Sequence, residues 1–200
     1  MEFAEVVRRR RVVRAYAPET VEGEVLDRVM AATRQAPSAG FSQGQSFVVI
    51  TDSNLRAAVA NCCGEAAAVG RGLPRWVSTA PVLVVPCVRE KAYHERYAEP
   101  DKRASRPPAD WEVPWWWVDG GLALMLLLLA TVDEGLSSGL LDLADRDGVR
   151  DLLGVPQDVV PLGVVTIGYP APDRRSSSLA RGRRPMHEVV HRNHWGSHAE

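Results

Sequence analysis

Residues 115–139 read WWWVDGGLALMLLLLATVDEGLSSG. From 120 to 132 no residue carries a charge, and apolar side chains occur all the way round a 3.6-residue period. A helix without a polar stripe must be buried on every side, so the stretch predicts a central core helix. The uncharged run falls short of the ~18 apolar residues that a membrane span needs, and Asp119 and Asp133 bracket it with charge. Glu134-Gly135 predicts the stop, because Gly135 can take the left-handed conformation. Gly120, Gly121 and Ala123 would let a second helix come close. A chain of 200 residues surrounds such a helix only with difficulty. A homodimer that shares it as a core is the economical arrangement.

The length suits one domain, or one domain with an arm. The apolar fraction of 46% is that of an ordinary globular protein. A net charge of -1 gives no bulk field toward nucleic acid or membrane. Positive charge is nearly all arginine, with only Lys91 and Lys102 as lysine. Three cysteines, of which Cys62 and Cys63 are adjacent, make no disulfide framework. No apolar signal segment flanks the N-terminal arginines, so a cytoplasmic, reduced protein is expected.

Outward from the central stretch, residues 3–14 read as a helix on the spacing of Phe3, Val6, Val7 and Val13. It would carry Arg8 to Arg11 and, one turn on, Arg14. Arg10 and Arg14 would share a face, which makes either a clamp for a phosphate or carboxylate or a plain solvated basic face. Residues 21–35 predict an amphipathic helix with Val25, Leu26, Val29, Met30 and Thr33 inward. Breakers at 36–40 end it, and 46–52 (SFVVITD) predicts a buried strand. The connecting PSAGFSQGQ is a loop of small residues able to offer backbone N–H groups to an anion or a planar ring, or else a simple connector.

Residues 54–63 predict a helix that continues loosely to 70, and 81–88 (PVLVVPCV) a second buried strand. Residues 91–114, rich in charge and proline, read as an irregular surface excursion. Its Tyr93 and Tyr97, with Trp111 and Trp115, would suit a lid over a flat ligand; alternatively the tryptophans of 115–117 pack core or interface. A short helix is expected near 146–153 and a third buried strand over 159–169. Residues 171–200 have almost no core-forming pattern and must lie along another surface, with a partner subunit as candidate.

His187-Glu188-Val189-Val190-His191 matches the HExxH pattern of zinc peptidases. The context speaks against it. The chain continues only nine residues, His194 and His198 fall at the wrong offsets for the extended motif, and Pro185 and the Val189-Val190 pair disfavour a long helix. No metal site is expected.

Four segments together resemble the nitroreductase family of FMN-dependent oxidoreductases. Arg10-Arg11-Val12-Val13-Arg14-Ala15-Tyr16 resembles its opening RRSxRxF signature, and Ala36-Pro37-Ser38-Ala39-Gly40-Phe41-Ser42-Gln43 its APSAxNxQ loop. The central helix ending in Gly135-Leu136-Ser137-Ser138 is the third, and the strand 164–169 with GYPAP, followed by Arg181-Gly182-Arg183-Arg184-Pro185, is the fourth. The resemblance implies an α+β fold: a mixed or antiparallel sheet flanked by helices, a long buried central helix, and an arm at 171–200 wrapped on the partner of a homodimer. It implies one domain over 1–200 with a lid-like excursion at 90–114.

The resemblance further implies that Arg10, Arg11, Val12, Arg14, Arg181 and Arg183 hold FMN. Pro37, Ser38, Ala39 and Gln43 would reach the flavin from the other subunit. Leu141, Asp142 and Leu143 would present backbone, with the Asp142 and Leu143 amides directed to N5, and Arg14 would face the N1–C2=O edge. Phe41, Tyr93, Tyr97, Trp111 and Trp115 are the expected substrate residues. Val12 replaces the family's serine, Phe41 its asparagine, and Gly44-Gln45 its Pro-Trp. The implied activity is reduction of FMN at N5 by NAD(P)H, then transfer to a planar electron-poor acceptor: a nitroaromatic, quinone or enone. The alternatives are a tailoring oxidase or dehalogenase-type enzyme, or a non-enzymatic flavin-binding protein.

Overall fold

In the computed structural model, which describes residues 1–174 and 176–197, one strand feeds two cores. Strand β2, Val82–Val88, is buried at every position. Its alternating side chains point to opposite faces, as the pleat requires. Leu83, Val85 and Cys87 join one apolar cluster with Ile50, Val59 and Val149. Val82 and Val84 join the other with Leu26, Val29, Leu127 and Ile167. A continuous apolar run, rich in valine here, is what a strand covered on both faces needs.

The first cluster lies under α3 (Ser53–Cys62) and α7 (Arg146–Leu153). The second lies under α2 (Gly23–Thr33) and α6 (Trp115–Asp133). Between them runs a sheet of order β1-β2-β5-β3, with β1 at Gln45–Ile50, β3 at Ser137–Leu141 and β5 at Val164–Gly168. Strand β4, Val160–Pro161, pairs with β2, and every strand pair is antiparallel. The short helices α1 (Phe3–Arg9), α4 (Glu65–Gly70) and α5 (Lys91–Tyr97) complete this α+β fold.

The central helix forms as expected and stops at Gly135, whose φ is +78°. Three details differ. Gly120 brings α6 against a strand, not a helix: a Cβ there would lie 2.6 Å from Val88 Cγ1. Asp119 is no solvent-facing bracket but is buried inside the helix. Burial is also incomplete in the single chain. Trp117, Leu122 and Met125 are 45%, 41% and 46% exposed, and Leu122 and Met125, three apart, share one face. At 19 residues α6 reaches the length and hydropathy of a membrane span, longer than its uncharged run suggested. It packs on α2 and the sheet, so its composition reflects that contact.

The expected helix over 3–14 ends at Arg9. Residues 12–17 instead extend along the sheet. Val12 bridges Ser138 in parallel, Tyr16 bridges Pro170, and Val13 N–H donates to Ser138 O at 3.0 Å. The β-branched Val12-Val13 pair favours this extended path. Arg10 and Arg14 therefore do not share a helix face. The strand expected over 159–169 is two strands, broken after Pro161, which cannot donate to a ladder. The excursion at 91–114 is more regular than its composition suggested, with α5 and two 3₁₀ turns, Pro100–Lys102 and Pro108–Asp110.

Candidate functional site

The extended segment 10–14 places its arginines at the sheet edge. Arg10, Arg11, Val12 and Arg14 line a cavity of about 450 Å³ with Ser176, Ser178, Leu179 and Arg183. Residues nearly the full chain length apart thus share one wall. Two contacts bring them together: Arg14 N–H donates to Asp173 Oδ2 at 2.9 Å, and Ala171 N–H to Ala15 O at 3.1 Å. Tyr16 anchors the segment from below, its hydroxyl 2.6 Å from Thr166 Oγ1 and donating to Val13 O at 2.9 Å. Burial pushes the Tyr16 phenol up, so it stays a neutral donor.

Among the described residues no carboxylate lies within ion-pairing distance of Arg10, Arg11, Arg14 or Arg183. Four cations around one cavity, none of them ion-paired among the described residues, are an arrangement able to receive an anion. Ser176 and Ser178 add hydroxyls, 2.7 Å from each other, to the wall where Val12 has none. Arg181 closes a 3₁₀ turn of the same tail and is exposed; it is not in that wall.

Beneath Arg14 lies a residue the sequence did not single out. The Arg14 guanidinium carbon lies over the Trp76 ring, 5.6 Å from its centroid. Glu65, 6% exposed, fixes the Trp76 backbone: its Oε1 accepts from the amides of Trp76, Val77 and Ser78 at 2.9, 2.6 and 3.1 Å. Burial works against this carboxylate, but the hydrogen bonds from Ser78, Val77 and Trp76 outweigh it and hold its pKa below the ordinary value.

A second cavity, about 530 Å³, lies between the loop after α2 and the excursion. Pro37, Ser38 and Ala39 form one side, Tyr97, Trp111 and Trp115 another, and Asp119 and Leu122 of α6 the floor. It shares no lining residue with the arginine cavity. The loop is cross-braced. Ala39 N–H donates to Asp119 Oδ2 and Gln43 N–H to Ser38 Oγ, at 2.8 and 2.9 Å. Arg96 Nε of α5 donates to Gly40 O at 2.9 Å. Gly40 itself has φ +61°, and a Cβ there would fall 2.7 Å from the Tyr97 ring. Only glycine meets both demands.

The expected substrate residues separate. Tyr97 and Trp111 meet edge to face at 5.0 Å, and Trp115 joins them at the cavity wall. Phe41 is exposed at φ +60°, outside that wall. Tyr93 is a correction: it is fully buried and turns its hydroxyl into the protein, donating to Asp119 Oδ2 at 2.8 Å. Burial and the adjacent Asp119 push its phenol up. Of the tryptophans at 115–117, Trp116 alone is buried.

Leu141 ends β3, and exposed Asp142 and buried Leu143 follow it. The Leu143 amide donates to Asp142 Oδ1 at 2.8 Å, so of the two amides expected at N5 that one is already engaged. The HEVVH segment is a single 3₁₀ turn, Met186–Glu188, followed by a turn, and not an α-helix. His198 lies outside the described residues, as do the arm's residues 175, 199 and 200.

The chain matches the profile of the Nitroreductase family over residues 7–169. It is 27% identical over 198 residues to an Archaeoglobus fulgidus protein named "Putative NADH dehydrogenase/NAD(P)H nitroreductase", covering 97% of this chain and 99% of that one. It is 29% identical over 188 residues to the FMN reductase (NAD(P)H) of Bacillus subtilis, covering 90% and 69%. Its fold superposes on the crystal structure of a nitroreductase family protein from Streptococcus pneumoniae with a TM-score of 0.74. That match has 21% identity and covers 94% of this chain and 98% of that chain.

Proposed function

The chain belongs to the nitroreductase family, and from that premise we propose that it is an FMN-dependent oxidoreductase. It takes electrons from NAD(P)H and passes them to a planar, electron-poor acceptor such as a nitroaromatic, quinone or enone. The observation that carries this reading is the arginine wall, where Arg10, Arg11 and Arg14 meet Arg183 around one cavity without a carboxylate partner among the described residues. Such a donor set fits a phosphate-bearing group.

When bound, FMN supplies the two-electron chemistry. The chain's own residues bind, orient and exclude. Arg10, Arg11 and Arg183 hold the phosphate, with the Ser176 and Ser178 hydroxyls where the family's serine is Val12. Arg181, on the same tail, assists. Arg14, over the Trp76 ring, would offer positive charge to the flavin edge that becomes electron-rich. The Asp142 amide is the donor left for N5, since that of Leu143 is engaged. Pro37, Ser38, Ala39 and Gln43 would contact the flavin of the other subunit, and Tyr97, Trp111 and Trp115 line the slot that would take the acceptor.

The protein acts as one domain and as a homodimer. The exposed apolar residues Trp117, Leu122 and Met125 of α6 support the dimer. So do the exposed Met186, Val189, Val190 and Trp195 of the arm, which the partner subunit would cover. The two cavities share no residue in one chain, which suits a site completed across a two-fold axis. Three free cysteines, with no disulfide among the described residues, fit a cytoplasmic home.

The test is the visible absorbance of the purified protein, with NADPH and then NADH added without oxygen. A flavin spectrum that bleaches is the expected result. Flavin that stays oxidised would favour a tailoring or storage role, and failure to take up FMN would sink the proposal.

A further inference from the structure

We propose that Asp119 sets specificity in the acceptor slot, and that the slot selects planar conjugated molecules carrying an ammonium or other N–H donor. The inference rests on the reading of that slot as the acceptor site. Asp119 is the fifth residue of α6, 2% exposed, and lines the 530 Å³ cavity. It is the one carboxylate in a lining otherwise made of aromatic, apolar and small residues.

Both hydrogen bonds on this side chain fall on one oxygen. Ala39 N–H and the Tyr93 hydroxyl donate to Oδ2, each at 2.8 Å. Among the described residues no donor reaches Oδ1. Two groups that belong to the fold therefore orient the carboxylate, and its second oxygen keeps its acceptor capacity for the cavity. A desolvated carboxylate with an unspent oxygen gains from any N–H donor placed against it.

The surrounding rings act in the same sense. Tyr97, Trp111 and Trp115 present π-systems to the slot. Where a ring turns its face to the slot, its negative quadrupole favours a cation and repels an anion. Lys102 shows this preference on the protein's own surface, its Nζ 5.7 Å from the Tyr97 ring centroid. A neutral planar molecule would gain stacking alone. A carboxylate-bearing one would meet Asp119 as a like charge.

The experiment uses size-matched probes: para-nitrobenzylammonium, para-nitrobenzyl alcohol and para-nitrobenzoate. Each is titrated calorimetrically into the protein with FMN added, and again without it. Affinity should fall in that order, by about tenfold at the first step. Asp119→Asn should bring the ammonium and the alcohol within about twofold of each other. Asparagine still accepts from Ala39 and Tyr93 but puts N–H in place of Oδ1. If that variant does not fold, para-nitrobenzyltrimethylammonium on the unaltered protein decides instead. It keeps the positive charge but has no N–H to give the free Asp119 oxygen, so it must bind at least about fivefold more weakly than the ammonium, and equal binding overturns the role of Asp119.

Equal binding of ammonium and alcohol, or tightest binding of the benzoate, overturns the role of Asp119. Protein that takes up flavin and bleaches with NAD(P)H but shows no ammonium preference defeats this inference alone. Protein that takes up no FMN but keeps the ammonium preference defeats the flavin reading and leaves Asp119 in place.

Discussion

The two cavities are built in opposite ways. The arginine cavity is charged, and it is assembled from the two ends of the chain, with Val12 of the first end bridged to β3. The aromatic slot is made by a loop, a short helix and the start of α6, all nearer the middle. The first relies on Tyr16, Asp173 and the β3 edge to hold its backbone in register. The second is held rigid by internal braces: Asp119 between Tyr93 and Ala39, and Arg96 on Gly40. Arg96 is itself pinned by a two-pronged pair to Asp101, at 2.8 and 2.7 Å, which pushes the Asp101 carboxyl down to about 2. Long cationic side chains suit a phosphate whose position the ligand brings with it. A slot that must exclude the wrong molecule needs fixed walls.

Separating the cavities is the strongest way to break this picture. Met125→Arg places a charge among the exposed apolar residues of α6. Light scattering should show a monomer, with FMN affinity down by more than about 100-fold. A dimeric, fully flavinated variant would mean that each cavity works alone.

Arg14→Ala tests the first cavity by itself. Losing one charge-assisted contact set should weaken FMN binding about 10- to 100-fold by flavin fluorescence titration. The aromatic slot and the fold should be unaffected.

Glu65 sharpens the comparison, because it supports the arginine side from beneath Trp76. Glu65→Gln should cost about 2–3 kcal/mol in denaturant unfolding, since a neutral group replaces a buried acceptor of three amides. The pH dependence has a defined sign. A carboxyl held below its unfolded value contributes fully above that value, about 4.3. It loses the contribution as pH falls through the folded value. The stability gap between the two proteins should therefore close on acidification below about pH 4. A gap that widens would contradict the geometry.

The smallest effect is expected from Tyr93→Phe, which removes one of the two donors on Asp119. It should cost about 1–2 kcal/mol in thermal unfolding, with FMN affinity nearly unchanged. A large loss of flavin would show that the slot's braces also hold the arginine cavity.

Much of this was legible in the residues. Strand β2, α7 and the stop at Gly135 follow from local pattern. The arginine set was visible as a resemblance at both ends of the chain. Strand β3 was not, because SSGLL carries too little apolar period to announce a strand. Tyr93 was misplaced because an aromatic in a charged, proline-rich stretch looks like surface, and burial there depends on Asp119 as a distant partner. Trp76 and Glu65 left no local signal, since their role exists only through amides and a guanidinium supplied from elsewhere. The run RSSSL at 175–179 was a usable hint of extra hydroxyls beside the arginines.

By itself the sequence determined which elements form and which must be buried, because hydrophobic period and breaker residues act over a few neighbouring positions. Only the tertiary structure decided which polar groups meet. It turned residues 10–14 from an expected helix into an extended segment beside β3, where the Ser138 carbonyl accepts from the Val13 amide. It also turned Asp119 from a bracket of charge into a buried ligand of Ala39 and Tyr93. A side chain's chemistry is local, but its partners lie across the fold, and in this chain they come from tens to more than a hundred positions away.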